Sequence, residues 1–293
     1  MAKNLEIASF EEAKEYMVSI PFVDDVEQLK QILKACMDIS YKSKALDYIK
    51  EGEMPSKIGN LKIGDDTLII NVNHALNCFS DKMGYCEHYK DCYAKKAPNT
   101  YKNSFLYGFA SEIQFNKLSI GEIIQSLEKQ FIKPLKSGEI KFIRFNEAGD
   151  FKSFDIFKKA NKVAEYFFKE YGIVSYSYTH NKELKDHQKA IKNSYIIINW
   201  SFSMDKEYKQ AITCNKLEDL VKYYNDDNYI ICTGKCYHCS YCKDKNDLRT
   251  VVFVNHYKDT IEAGLKAGLS LNQLKDLEAQ KFIDYGLFLR SLM

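Results

Sequence analysis

The chain has 293 residues, 45% of them apolar, and a net charge of +2 from 42 basic and 40 acidic side chains. That suffices for one large core or two small ones. The near-neutral balance does not suggest a polyanion-binding surface, and the presence of only three arginines (Arg144, Arg249, Arg290) weighs against sequence-specific nucleic-acid binding without excluding nucleic acid, because arginine is the usual bidentate reader of bases and phosphates.

The start, MAKNLEIASFEEAKEYMV, has no basic segment leading into an apolar run, and no run of about 18 apolar residues follows. Neither a signal peptide nor a membrane span is expected, and the expected compartment is the cytoplasm, where thiols stay reduced. Residues 9–50 read as helical: Val26, Leu29, Ile32, Leu33 and Cys36 recur at helical spacing, which makes Cys36 a small core residue. From Gly59, IGNLKIGDDTLIINV predicts two short strands turned at Gly64-Asp65-Asp66. LYGFASEIQF and a helical GEIIQSLEKQFIKPL precede the apolar strand IKFIRF (140–145). Next comes the helix SFDIFKKANKVAEYFFKEYG, closed by Gly172. Strands GIVSYSYT (172–179) and SYIIINWSF (194–202) flank a lysine-rich helical stretch. AITC, the helix KLEDLVKYY and the strands NYIICTG and TVVFVNH (250–256) follow. Five or six strands alternating with helices predict an α/β fold, either an incomplete (β/α) barrel or an open, mostly parallel sheet. The expected organisation is a helical addition at 1–56, the α/β core at 57–256 and a helical tail at 257–293.

Nine cysteines in a reducing compartment read as metal ligands rather than disulfides. Cys78-x7-Cys86-x5-Cys92 lies just past a strand end, where α/β sheets place their chemistry. Three thiolates there can hold a [4Fe–4S] cluster and leave one iron open; zinc with His74 or His88 as fourth ligand is the alternative. CTGKCYHCSYC places Cys232, Cys236, Cys239 and Cys242 within eleven residues, enough to wrap one metal ion or cluster. His238 between them reads as a bystander. A single cluster shared by the two groups is a further arrangement.

CTGKCYHC also has the C-x3-C-x2-C spacing of radical S-adenosylmethionine (SAM) enzymes, yet it follows one of the last strands, whereas the first cysteine group follows an early one. Cys92-Tyr93-Ala94 resembles the atypical cluster loop of phage-type radical-SAM-like proteins. The ordered series from 57 to 256 is similar to the family named for phage "gene product 88". It comprises the opening strands, that loop, strand ends at Gly149-Asp150-Phe151, at Tyr178-Thr179 and at Ser201-Phe202-Ser203, the compact cysteine run and His256. The resemblance implies a radical-SAM-like fold with one or two [4Fe–4S] clusters. It further implies SAM as cofactor and an electron donor such as a flavodoxin or ferredoxin. FNEAGDF then occupies the strand that holds the methionyl amine, with Glu147, Gly149 and Asp150 as its candidate contacts; a plain strand–helix turn with Asp150 near the N-cap is the other reading. Ser177, Thr179, Asn199, Ser201 and Ser203 lie at strand ends where they could line a polar pocket. Arg144, inside an apolar strand, needs a carboxylate or an anion. The competing class of function is a metal-braced module that binds protein or nucleic acid.

Overall fold

The computed structural model describes residues 7, 9–37, 44–59, 63–87, 92–214, 216, 218–234, 236, 239–254 and 264–292. The chain runs α1 (Phe10–Ser19), α2 (Val26–Met37), α3 (Lys44–Glu51), β1 (Lys57–Ile58), β2 (Thr67–Ile70), α4 (Phe79–Lys82), α5 (Tyr93–Thr100), α6 (Lys102–Lys117), α7 (Ile120–Lys136) and β3 (Phe142–Phe145). There follow α8 (Phe154–Tyr171), β4 (Val174–Thr179), α9 (Gln188–Lys192), β5 (Ile196–Trp200), β6 (Ala211–Cys214), α10 (Glu218–Tyr224), β7 (Tyr229–Ile231), β8 (Thr250–Val254) and a last helix, Leu271–Leu292.

Local chemistry sets the helix ends. Ser119 and Glu122 form a reciprocal capping box on α7. Ser153, rather than Asp150, caps α8 by accepting from the Ile156 amide, and Gly172 ends that helix in the left-handed conformation (φ +69°). The LYGFASEIQF segment lies in α6, which is buried nearly all round because it has two sets of partners. Its Phe105, Phe109 and Ile113 close a core with Met17, Leu29, Leu33, Cys36 and Leu46 of the three N-terminal helices. Cys36 is thus a core residue, its thiol pushed up to about 12 by burial.

Strands β1 to β5 form one sheet in chain order; β1 is antiparallel to β2, and the other neighbours are parallel. One face, through Leu68, Ile70, Ile143, Phe145, Ile196, Ile198 and Trp200, packs on α7 and α8. The other carries Phe142, Tyr176, Tyr178 and Ile197, and against it lies Cys242. Strands β6, β8 and β7 form a second, wholly parallel sheet, joined to β5 by a single parallel bridge between Trp200 and Gln210. An α/β fold with an open, mostly parallel sheet therefore agrees with the sequence reading. The main sheet has five strands, within the five or six expected, and three more described strands build a sheet of their own. Among the described residues, no helix is long and apolar enough to cross a membrane.

Candidate metal centre

The first cysteine group sits where β2 runs out. Cys78 precedes α4 and Cys92 precedes α5, each at a helix N-terminus; Cys86 lies between them, and residues 88–91, His88 included, fall outside the described set. Burial pushes the Cys78 thiol well up, and Asp150, Cys92 and Asp81 add negative charge nearby. The zinc alternative loses His74. Its Nδ1 accepts from the Leu76 amide at 2.9 Å, and its Nε2 lies 2.9 Å from the Phe105 carbonyl. The neutral Nε2–H form fits both bonds and leaves no ring nitrogen for a metal.

Asp150 ties this loop to the sheet. Its carboxylate accepts from the Ser80 hydroxyl (2.6 Å), the Thr179 hydroxyl (2.7 Å), the His180 amide (2.7 Å) and the Phe151 amide (2.7 Å). Burial raises its pKa to about 6, and those four donors hold it from rising further. Gly149, at φ +81°, lies so close to Asn73 that a Cβ would stand 1.8 Å from the Asn73 Oδ1; that oxygen accepts from the Asp150 amide. Glu147 pairs with Lys57 at 2.5 Å. Ser201 is half-buried past β5, its amide on the Thr179 carbonyl. The three candidate contacts of the methionyl amine, and Ser201 beside them, are therefore engaged within the chain.

The second group is gathered. Cys232, Cys236, Cys239 and Cys242 line one pocket with Tyr176, Tyr178, Tyr241, Lys243, Val251 and Phe253; Lys235, Tyr237 and His238 lie outside the described residues. The space between them is about 20 Å³, room for one water-sized sphere. Among the described residues no three His, Cys, Asp or Glu side chains stand so as to hold a single metal ion. Each sulfur's surroundings are nonetheless specific. The Gly234 amide donates to the Cys232 sulfur at 3.4 Å, the Tyr241 amide to Cys239 and the Tyr178 hydroxyl to Cys242. Asn199 fixes the loop by donating to the Cys242 carbonyl at 3.0 Å. Burial, then the neighbouring cysteines, pushes Cys239 up to about 12 and raises Cys232 and Cys242. The strongest charges acting on Cys232 are the other three thiols of its own group, whereas on Cys78 the largest is Asp150, followed by Cys92 and Asp81.

Three buried cations lie near the second group: Lys243 lines its pocket, and Lys209 and Arg144 act on Cys242. Lys243 is 2% exposed, Lys209 5% and Arg144 7%. Lys243 donates to the Cys236 carbonyl at 3.1 Å, with its ammonium 3.9 Å from the centre of the Phe142 ring. Lys209 donates to the Asp247 carbonyl. The Arg144 guanidinium lies 5.2 Å from the Tyr178 ring centre. Burial lowers the pKa of both lysines; Cys242 and Asp247 pull Lys209 back up, and Asp66 and the thiols do so for Lys243. Neither lysine forms an ion pair with a carboxylate among the described residues. Buried ammonium groups are costly without a counter-charge, and the thiols, once deprotonated by a metal, would provide it.

Sequence reasoning located the cysteines but missed Tyr176, Tyr178, Lys209 and Lys243. The available signal was the alternation of SYSYT: Ser177 and Thr179 point to the Phe145 carbonyl and to Asp150, so the tyrosines between them face the thiols. No protein-family model, no curated protein and no solved structure matches the chain.

Proposed function

We propose that the chain is an iron–sulfur protein of radical-SAM-like type, similar to the phage gene product 88 family, with Cys232, Cys236, Cys239 and Cys242 holding a closed [4Fe–4S] centre. The observation that carries this reading is one pocket lined by four thiols and the buried Lys243, with the buried Lys209 and Arg144 near enough to act on Cys242. A dianionic thiolate-bound centre offsets the charge of the buried Lys209 and Lys243, neither of which forms an ion pair with a carboxylate among the described residues. Amide donors at Cys232 and Cys239 and the hydroxyl at Cys242 favour thiolate over thiol. Tyr176, Val251 and Phe253 wall the pocket with apolar surface and keep water from the sulfurs.

Cys78, Cys86 and Cys92 are the proposed ligands of a second, open cluster at the strand-end loop. A bound cluster there supplies an iron for the amine and carboxylate of SAM and an electron for its reductive cleavage. The chain's own contribution is the placement of Cys78 and Cys92 at two helix N-termini, where backbone amides favour thiolate. Asp150 keeps that loop against β4.

A zinc-braced binding module is the second reading, favoured by the small space between the four thiols. Metal and sulfide analysis of anaerobically purified protein separates the two. Iron with acid-labile sulfide is expected; zinc with neither overturns the iron–sulfur assignment.

A further inference from the structure

The four-thiol pocket is lined by a residue whose buried polar group has no partner among the described residues. Tyr176 is 1% exposed and lines the pocket, and its hydroxyl has no hydrogen-bond partner among the described residues. A buried hydroxyl in that state costs about 1–3 kcal/mol, and such groups call for a ligand or water. Two residues along the same strand, Tyr178 gives its hydroxyl to the Cys242 sulfur. The two tyrosines thus differ: the Tyr178 hydroxyl serves a cysteine, and the Tyr176 hydroxyl has no partner among the described residues.

Zinc held by four cysteines brings no acceptor atom of its own. An iron–sulfur cluster brings inorganic sulfides, which accept hydrogen bonds. Lys243, across the pocket, uses one of its three donors on the Cys236 carbonyl and places its charge beside the sulfurs.

We propose that the Tyr176 hydroxyl donates to an inorganic sulfide of a cluster in this pocket and that, with the Lys243 ammonium, it sets the cluster's reduction potential. The inference rests on the iron–sulfur reading of Cys232, Cys236, Cys239 and Cys242. One electron, from an external low-potential donor such as a ferredoxin or flavodoxin, adds one negative charge to the centre; no bond is made or broken. A hydrogen bond and a nearby cation stabilise that reduced form more than the oxidised one. Both residues therefore raise the potential.

The test uses the full chain carrying Cys78→Ala, Cys86→Ala and Cys92→Ala, so that only this pocket can hold a cluster. Iron, zinc and sulfide are measured, followed by a redox titration read by electron paramagnetic resonance. Tyr176→Phe is expected to keep iron and sulfide at the parent level and to shift the reduction equilibrium about tenfold toward the oxidised form, which is about 59 mV for one electron. Lys243→Met is expected to shift it the same way. In metal-free protein, Tyr176→Phe leaves the melting temperature equal or higher, since only a partnerless hydroxyl is lost. If the triple variant is insoluble, the titration is run in the otherwise unaltered chain, with Cys242→Ala showing which signal belongs to the pocket. An unchanged potential at full iron and sulfide content, or loss of the cluster in Tyr176→Phe, overturns the tuning role and leaves the iron–sulfur reading standing. Zinc without sulfide in the parent protein overturns both.

Discussion

The Thr179 hydroxyl donates to Asp150 at 2.7 Å, joining the end of β4 to the loop that follows β3. Ser80, two residues past Cys78, donates to the same carboxylate. Asp150 thus fastens the first thiol loop to the sheet with an ionised group whose lone pairs are taken by protein donors. Asp150→Asn replaces one acceptor oxygen with a donor that faces other donors. It is expected to cost about 2–4 kcal/mol, read as a lower urea midpoint. An Asp150→Asn protein with wild-type stability but a lost response to SAM would instead assign the carboxylate to the ligand.

Gly149 permits a close approach, and Asn73 occupies it. Gly149→Ala would set a methyl group 1.8 Å from the Asn73 Oδ1 at a positive φ, so two penalties combine. The expected loss is about 3 kcal/mol or more, seen in thermal unfolding of metal-free protein. Asn73→Gly in the same chain should recover part of it, because the clash is relieved and the backbone strain remains. Full stability in Gly149→Ala would show that the loop adapts freely.

The α/β alternation, the end of α8 at Gly172 and the gathering of Cys232, Cys236, Cys239 and Cys242 were legible because each rests on local sequence: apolar periodicity, a residue tolerant of positive φ, and thiol spacing. The walls of the pocket were not. Lys209 and Lys243 carry no local signal of burial, yet both are buried in the fold, donating to the Asp247 and Cys236 carbonyls. The strand-end serines looked like pocket residues, but strand pleating sends Ser177 and Thr179 to the opposite face from Tyr176 and Tyr178. His74 offered a plausible ligand in sequence, yet its ring nitrogens are taken by backbone groups, one of them 31 residues away at Phe105.

Stability is expected to fall between pH 6.5 and 8. Burial raises the Glu112 carboxyl to about 8 from an ordinary 4.5 and lowers His74 to about 4 from 6.5. Between 4.5 and 8 the native chain keeps the Glu112 proton and the unfolded chain does not, so rising pH destabilises the fold. Between 6.5 and 4 the unfolded chain takes a His74 proton that the native chain refuses, so falling pH destabilises it. The two slopes cancel from 4.5 to 6.5, and above 6.5 Glu112 acts alone at about 1.4 kcal/mol per pH unit. The expected loss by pH 8 is about 2 kcal/mol. Glu112→Gln should flatten that slope, at a constant cost from turning an amide donor toward the His74 amide or Asn77. Urea unfolding at the two pH values decides it, and an equal slope in both proteins would clear Glu112 of the role.

Filling the four-thiol pocket is expected to release protons. Cys232, Cys239 and Cys242 all have raised pKa values, Cys239 to about 12, so each is a neutral thiol at pH 7.5 before a metal binds. Coordination requires thiolate, and the buried Lys209, Lys243 and Arg144 favour the anions once formed. Zinc added to metal-free full-length protein serves as the probe. Calorimetry in buffers of different ionisation heat should give about three or more protons released per ion. Cys242→Ala should lower that number by about one and weaken binding at least roughly tenfold, because it removes a ligand and leaves Lys209 facing a methyl group. Cys78→Ala, in the other loop, should leave the proton count of this site unchanged. Release of fewer than two protons would mean that the thiols are already ionised, or that zinc binds elsewhere; equal losses in Cys78→Ala and Cys242→Ala would mean that the two cysteine groups form one site after all.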